Sequence, residues 1–339
     1  MAKLSREERE KITETRLIRV LTTSVVANQR TLEQKISDAG PFNQRIDPHI
    51  LTDVRNRLVH EGSIGVLNYS GAPWYFASNT ARDAVNEQLH KLIPIYRACH
   101  AAGSRIGQAL EIATYRALCA LPNADFSGRF RDLSAHDDST MYKKEEPPQH
   151  IGTRELKGNE RLDFILRTAD GGPVAIECKN VRHWMYPHVE EITETLRKCI
   201  ALNAVPVLIA RRIPFVTFAV FSRCGFIVHQ TYNQLFPQAE ADLAVQARDK
   251  TLLGYHDIRT GNEPDTRLLK FITVNLPNIV APARAKFEEY KDLIEAYANG
   301  EKQYEEFAAR VLRRSRGENE DGPNKDPNTG EWLPGSGYE

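Results

Sequence analysis

Apolar positions recur every three or four residues along three early stretches, which is the pattern of helices with one buried face. Leu17, Ile18, Val20 and Leu21 keep that spacing over residues 14–23. Thr31 followed by Gln34 marks a capping-box start for a short helix ending near Gly40. The third helix is the best bounded, with Asp47 as N-cap, Pro48 at the first helical position, a stripe of Ile50, Leu51, Val54 and Leu58, and Gly62 as the stop. The pattern then changes to strands over 64–67 and 74–77, flanking a turn with Gly71 at its tip, so a hairpin is expected there. Residues 81–121 return to helical spacing, divided near Pro94 or Gly103.

Residues 122–150, with Pro122, Asp137, Asp138, Lys143, Lys144, Pro147 and Pro148, read as a mobile loop. Beyond it strands and helices alternate. Short strands at 161–167 and 174–179 are joined by Ala169, Asp170, Gly171 and Gly172, a strong hairpin turn. Val189, Ile192, Leu196, Cys199 and Ile200 define an amphipathic helix, and the unbroken apolar run at 205–210 predicts a buried strand returning to the same sheet. A helix at 215–223, a strand at 226–232, a hairpin-like pair within 252–273 and a helix over 283–312 follow. The polar, Gly- and Asn-rich residues 313–339 predict a disordered tail.

Three helices followed by a hairpin resemble a winged helix-turn-helix in their order. That resemblance implies a domain over residues 1–78 whose third helix docks in the major groove of double-stranded DNA. It would offer Arg55, Arg57 and His60, with Asn43, Gln44 and Arg45 leading in. The same residues are also what the solvated face of an amphipathic helix looks like, and winged helices serve as protein-interaction modules too.

Composition narrows the class. With 41% hydrophobic and 27% charged residues, the chain is expected to fold as a globular protein of two units plus extensions. No apolar run is long enough for a membrane helix and the N-terminus has no signal-peptide core, so a cytoplasmic protein without membrane contact is expected. The five cysteines never form a C-x-x-C and read as buried small hydrophobes. A formal net charge of zero means that any nucleic-acid contact rests on local patches, for which Arg154, Lys157, Arg161, Arg211 and Arg212 are candidates. His100, His150 and His229 lack metal-ligand spacing, and no Gly-rich phosphate loop is present, so no nucleotide cofactor is expected.

Glu-x-Lys occurs four times, and context separates the four. Glu33 with Lys35 and Glu289 with Lys291 fall in predicted helices, where residues two apart cannot share a ligand. Glu155 with Lys157 has no buried strand around it. Glu177 with Lys179 ends an apolar strand, whose alternation turns Ile176 and Cys178 inward and puts Glu177 and Lys179 on the other face. The preceding strand supplies Asp163 near the open end of the hairpin, where antiparallel pairing brings it beside Glu177. Two converging carboxylates suit a hard cation such as Mg2+ (or Mn2+), with Asp163, Glu177 and the Cys178 carbonyl as ligands. Lys179 would position or deprotonate a water, the latter only with a lowered pKa. An ion-pair cluster between strands remains the plain alternative.

Asp163, Glu177 and Lys179, in the order helix, strand, strand, helix, strand, resemble the PD-(D/E)XK nuclease superfamily over about residues 100–232, although Leu162 stands where the name-giving proline would be. The resemblance implies a restriction-endonuclease-like α/β core within residues 79–312, a mixed central sheet flanked by helices, and Mg2+-dependent hydrolysis of DNA phosphodiester bonds. It also gives Glu111, on the helix before the sheet, a place as a second-metal or outer ligand. Asn180 and Arg182, with His183 and Trp184 on the same loop, are candidate DNA contacts. One such site cuts one strand, so double-strand cleavage requires a homodimer or two successive events. A restriction or anti-phage role is the expectation, with a resolvase or repair nuclease, or a DNA-binding regulator that keeps the fold, as alternatives.

Overall fold

Ser5 and Glu8 cap the first helix ahead of the stretch that periodicity marks. The Ser5 N–H donates to Glu8 Oε2 at 2.7 Å and the Glu8 N–H to Ser5 Oγ at 3.2 Å, so α1 runs Arg6–Ser24. The computed structural model describes residues 4–38 and 46–322. After β1 (Ala27–Asn28) comes α2 (Gln29–Leu32), which widens into a π-helical turn, Glu33–Ser37. Its cap is Asn28, whose Oδ1 accepts the Thr31 N–H at 2.9 Å; Thr31 donates its hydroxyl to the Leu253 carbonyl instead of capping. Asp47 does precede α3 (Pro48–His60), but its carboxylate pairs with Arg9 at 3.0 Å. β2 (Ile64–Tyr69) and β3 (Ala72–Ala77) join through Ser70 and Gly71, at φ 53 and 72, the left-handed pair that a tight hairpin's twist demands. β1 pairs with the other edge of β3, giving the order β1-β3-β2. Leu17, Leu21, Ile36, Ile50, Leu51, Val54, Leu58 and Ile64 share the core beneath it.

α4 (Arg82–Ala101) keeps Pro94 inside it, and the break in the helical stretch comes at Gly103. The chain divides into two units, one holding the residues up to Ser104 together with Gln238–Thr260, the other holding Arg105–Pro237 and the residues from Gly261. The boundary expected after residue 78 therefore moves. Gln88 on α4 donates to the Thr251 carbonyl, and Lys35 to that of Lys250, so α4 and the returning segment belong to the first unit.

In the second unit α5 (Gly103–Cys119) leads to β4 (Asp125–Ser127), a ribbon of β5 (Arg129–Phe130) with β6 (Lys144–Glu145), and a shorter ribbon of β7 (His150–Ile151) with β8 (Arg154–Glu155). β9 (Phe164–Thr168) and β10 (Gly172–Lys179) follow, then α6 (Glu190–Leu202), β11 (Val205–Ala210), α7 (Phe215–Phe221) and β12 (Ile227–Gln230). The five-stranded mixed sheet has the order β12-β11-β10-β9-β4, with β10, β11 and β12 parallel and β9 antiparallel to both of its neighbours. Val174, Ile176, Val207 and Ile209 face a core shared with α5, while Ala175, Leu208 and Ala210 face α6, α7 and the C-terminal helices. Covering on both faces explains the unbroken apolar run of β11.

Three sequence expectations fail here. Residues 252–273 form no hairpin: Asp265 caps a helix starting at Thr266, accepting the Leu268 N–H at 2.8 Å. The helix expected over 283–312 is three, Leu276–Glu289, Lys291–Ala298 and Tyr304–Ser315, the last running past the expected start of the tail at 313. Residues 122–150 are not a free loop, because they contain β4, β5 and β6. Among the described residues no helix is long and apolar enough to cross a membrane.

Candidate active site

The register of β9 on β10 pairs Phe164 with Ile176, so one more rung would set Asp163 across from Glu177. β9 begins at Phe164, however, and Asp163 turns its carboxylate to accept the Cys178 N–H at Oδ2, 2.7 Å away. Gly128, at φ +102, makes room for this, since a Cβ there would lie 2.4 Å from the Asp163 carbonyl. Any side chain at 128 would push Asp163 off the strand end.

Glu177 lies under α6 and is only 2% exposed, because the face of β10 that it shares with Lys179 is covered like the other. Its Oε1 accepts from Lys198 at 3.0 Å and its Oε2 from Lys179 at 3.3 Å, while Lys198 also reaches Glu194 at 2.7 Å. Lys198 was not singled out from the sequence. The available signal was its position three residues after Thr195 and four before Leu202, on the buried flank of α6.

Glu111 joins the set through a residue that the sequence reading assigned to a loop. Lys144 Nζ lies 2.6 Å from Glu111 Oε2 and 3.5 Å from Asp163 Oδ1, over the rings of Phe164 and Phe130 at 4.8 and 5.6 Å. Gln108, one turn before Glu111 on α5, fixes the approach. Its amide donates to the Tyr142 carbonyl at 3.0 Å and accepts the Tyr142 N–H at 2.7 Å, two residues before Lys144.

Burial first, then the Asp163 charge, pushes the Glu111 carboxyl up to about 7 despite Lys144. Glu177 is raised for the same two reasons, against the pull of Lys179 and Lys198. Burial works against the charge of Lys179, but Glu177 and Asp163 outweigh it, so its pKa is raised rather than lowered. With these neighbours the charged form of Lys179 is favoured, which suits it to offsetting negative charge.

The other candidates separate. Asn180 is 4% exposed and buttresses the strand end, donating to the carbonyls of Ile106 and Leu235 and accepting the Leu235 N–H. It is no DNA contact. Arg182 donates to Gln234 Oε1 at 3.1 Å, and Arg211, 2% exposed, donates to the carbonyls of Val181 and Arg182. Arg212 is buried against Tyr232. Of the expected positive surface Arg154, Lys157 and Arg161 remain exposed. His183 pairs with Glu191 at 2.9 Å, and Trp184, Tyr186 and His188 form a ladder of near-parallel rings. His100 and His150 are exposed, whereas His229 stacks on Phe271 and is pushed down to about 4, chiefly by burial. In the first unit Arg55 is buried over the Tyr75 ring, which takes it out of reach of DNA. Arg57 is exposed and pairs with Glu14 and Glu61, and His60 is exposed; Asn43, Gln44 and Arg45 lie outside the described residues.

The donor chemistry fits a hard divalent cation, since the Asp163 charge adds to the cost of charging both Glu111 and Glu177, and the Cys178 carbonyl follows Glu177 directly in sequence. Lysine ammoniums meet that demand here, and among the described residues no group of three or more His, Cys, Asp or Glu is gathered tightly enough to hold a metal. Compared with known proteins, the chain matches no family model, no curated protein and no solved structure.

Proposed function

We propose that the second unit is a metal-dependent nuclease of restriction-endonuclease-like architecture that hydrolyses DNA phosphodiester bonds, as the PD-(D/E)XK resemblance implies. The observation that carries this reading is the convergence of Asp163, Glu177 and Lys179 at the open end of the β9–β10 hairpin, with Glu111 tied to Asp163 through Lys144. Asp163, Glu177, the Cys178 carbonyl and Glu111 would hold the ion. A bound Mg2+ supplies positive charge against the phosphate and lowers the pKa of coordinated water. The chain's own residues do the rest. Asp163 is aimed by the Cys178 N–H, Glu177 is fixed by Lys198, and Lys179 holds its ammonium where charge grows on the phosphate oxygens.

The first unit supports a winged-helix reading through its α1-β1-α2-α3-β2-β3 order and its β1-β3-β2 sheet. Arg57 and His60 are what α3 retains of the expected basic face, so duplex binding by this unit is the weaker half of the proposal. If the enzyme cuts both strands, a homodimer supplies the second site. The reading predicts that purified protein with Mg2+ or Mn2+ nicks or cuts DNA, and that Glu177→Gln and Lys179→Met each lower the rate by about 10^3 or more while DNA binding persists. Equal cleavage by both variants and the natural chain would refute it. Comparing linear duplex with four-way junctions separates a restriction-type enzyme from a resolvase.

One observation favours a second reading. The carboxylates are matched by Lys144, Lys179 and Lys198, as in an ion-pair cluster stabilising a DNA-binding scaffold without activity. No cleavage of any DNA form with Mg2+, Mn2+ or Co2+, alongside intact DNA binding, is its signature.

A further inference from the structure

We propose that Lys144 is the resident counter-cation of this site, and that a divalent ion enters by displacing it. The inference rests on the nuclease reading for the identity of the incoming ion and on geometry for the exchange. Asp163 has two carboxylate oxygens, and both are engaged: Oδ2 by the Cys178 N–H at 2.7 Å, Oδ1 by Lys144 at 3.5 Å. Glu111 presents Oε2 to the same ammonium at 2.6 Å. An ion bridging Asp163 Oδ1 and Glu111 Oε2 would compete with Lys144 for them. At ligand distance a dication and the ammonium repel each other in a site shielded from water, so the arrival of the ion favours the departure of the lysine.

The placement of Lys144 is built. Its side chain is 5% exposed, enclosed by two carboxylates and the faces of Phe130 and Phe164, with Glu146 3.9 Å from its ammonium. Gln108 clamps Tyr142, so α5 presents Glu111 and simultaneously anchors the segment that delivers the lysine. Of the three lysines Lys144 is on the most separable support. Lys179 ends a central strand and Lys198 is within a packed helix, whereas β6 has two residues, paired only to the two-residue β5 and followed by Pro147 and Pro148. In the exchange the ammonium leaves with its proton, no bond is made or broken covalently, and a dication takes the place of a monocation among three carboxylates. Carboxylates that would otherwise repel are thereby kept together before the ion arrives.

The test uses the full chain with Mn2+ alone, without DNA. Acylation of individual lysines, followed by mass spectrometry, should find Lys144 protected in chelator and labelled about tenfold faster or more at saturating Mn2+, with Lys198 protected in both. By calorimetry Lys144→Gln should bind Mn2+ about tenfold more tightly, with Lys143→Gln, its exposed neighbour, unchanged. The labelling matters because a lysine that only repels the ion from nearby would also tighten affinity when removed, but would stay protected. Protection of Lys144 unaltered while Mn2+ binds overturns the proposal, as does unaltered or weakened affinity in Lys144→Gln, or no Mn2+ binding to either protein. If Lys144→Gln does not fold, labelling of the natural chain decides alone. Cleavage with Lys144 still protected sinks the exchange and leaves the nuclease reading; exchange without cleavage does the reverse.

Discussion

At the scale of single residues, Glu177 is defined by its burial. A carboxylate 2% exposed is costly to charge, and Lys198 and Lys179 are the cations that reach it. Lys198→Met should therefore cost about 3 kcal/mol in urea unfolding, since it removes one partner of a buried ion pair, and a loss under about 1 kcal/mol would mean that Lys179 alone suffices. Glu111 makes a prediction with a sign. Its pKa is raised from 4.5 to about 7, so the folded chain binds this proton more tightly than the unfolded one. The stability it contributes is full below 4.5 and lost as pH rises through about 7. Between about pH 5 and about pH 8 the natural protein should lose stability relative to Glu111→Gln. Parallel pH profiles of the two would show that the proton is not there. Asp163, Glu177 and Lys179 are legible in the sequence because strand alternation fixes which residues share a face, and Glu111 through the position that the family resemblance implies for it. Lys144 and Lys198 could not, because a lysine's reach of several bonds is set by what its neighbours bury, and the pattern of a helix or a charge-rich stretch carries no record of that.

At the scale of elements, α5 does two tasks with residues one turn apart. Glu111 enters the site and Gln108 holds Tyr142, satisfying both of its backbone groups. Gln108→Leu should leave those groups buried without partners, costing about 2 kcal/mol. The sharper readout is proteolysis, which should begin within residues 131–143 in the variant and elsewhere in the natural chain; an unchanged cleavage map would mean that β5 and β6 hold the segment unaided. The hairpin of β9 and β10 and the return of β11 to the same sheet are legible, because turn chemistry and apolar periodicity act locally; the division of the helical stretch is legible only as Pro94 or Gly103. The capping residue of α2 and the burial of Arg55 differ from expectation for one reason, and the hairpin expected within 252–273 for another. Thr31 and Arg55 each have a local pattern that fits one role, while a carbonyl distant in sequence or a packed ring gives them another; Asp265 instead caps a helix locally, through the Leu268 N–H three residues on.

At the scale of the whole chain, the first unit is assembled from two stretches separated by most of the second. Local periodicity could not reveal that, since each stretch looks ordinary by itself. Under native hydrogen exchange, peptides from 241–255 should open with those of α1 and α3 rather than with those of β10 and β11, because units that share a core exchange cooperatively. Exchange of 241–255 in step with β10 would contradict the division. Deleting residues 1–78 would remove part of a unit and leave α4 and the returning segment without their core, so loss of DNA binding in such a deletion would not identify the reader of DNA.

The split also has a consequence for how the protein is made. A chain emerging from a ribosome presents α1 to α4 long before residues 238–260, so the carbonyls of Leu253, Lys250 and Thr251 that receive Thr31, Lys35 and Gln88 are still untranslated when those side chains appear. The unit that begins the polypeptide thus waits for a later segment, and the five-stranded sheet of the second unit, complete in sequence once β12 ends at Gln230, in turn waits for the helices beyond Gly261 that cover it.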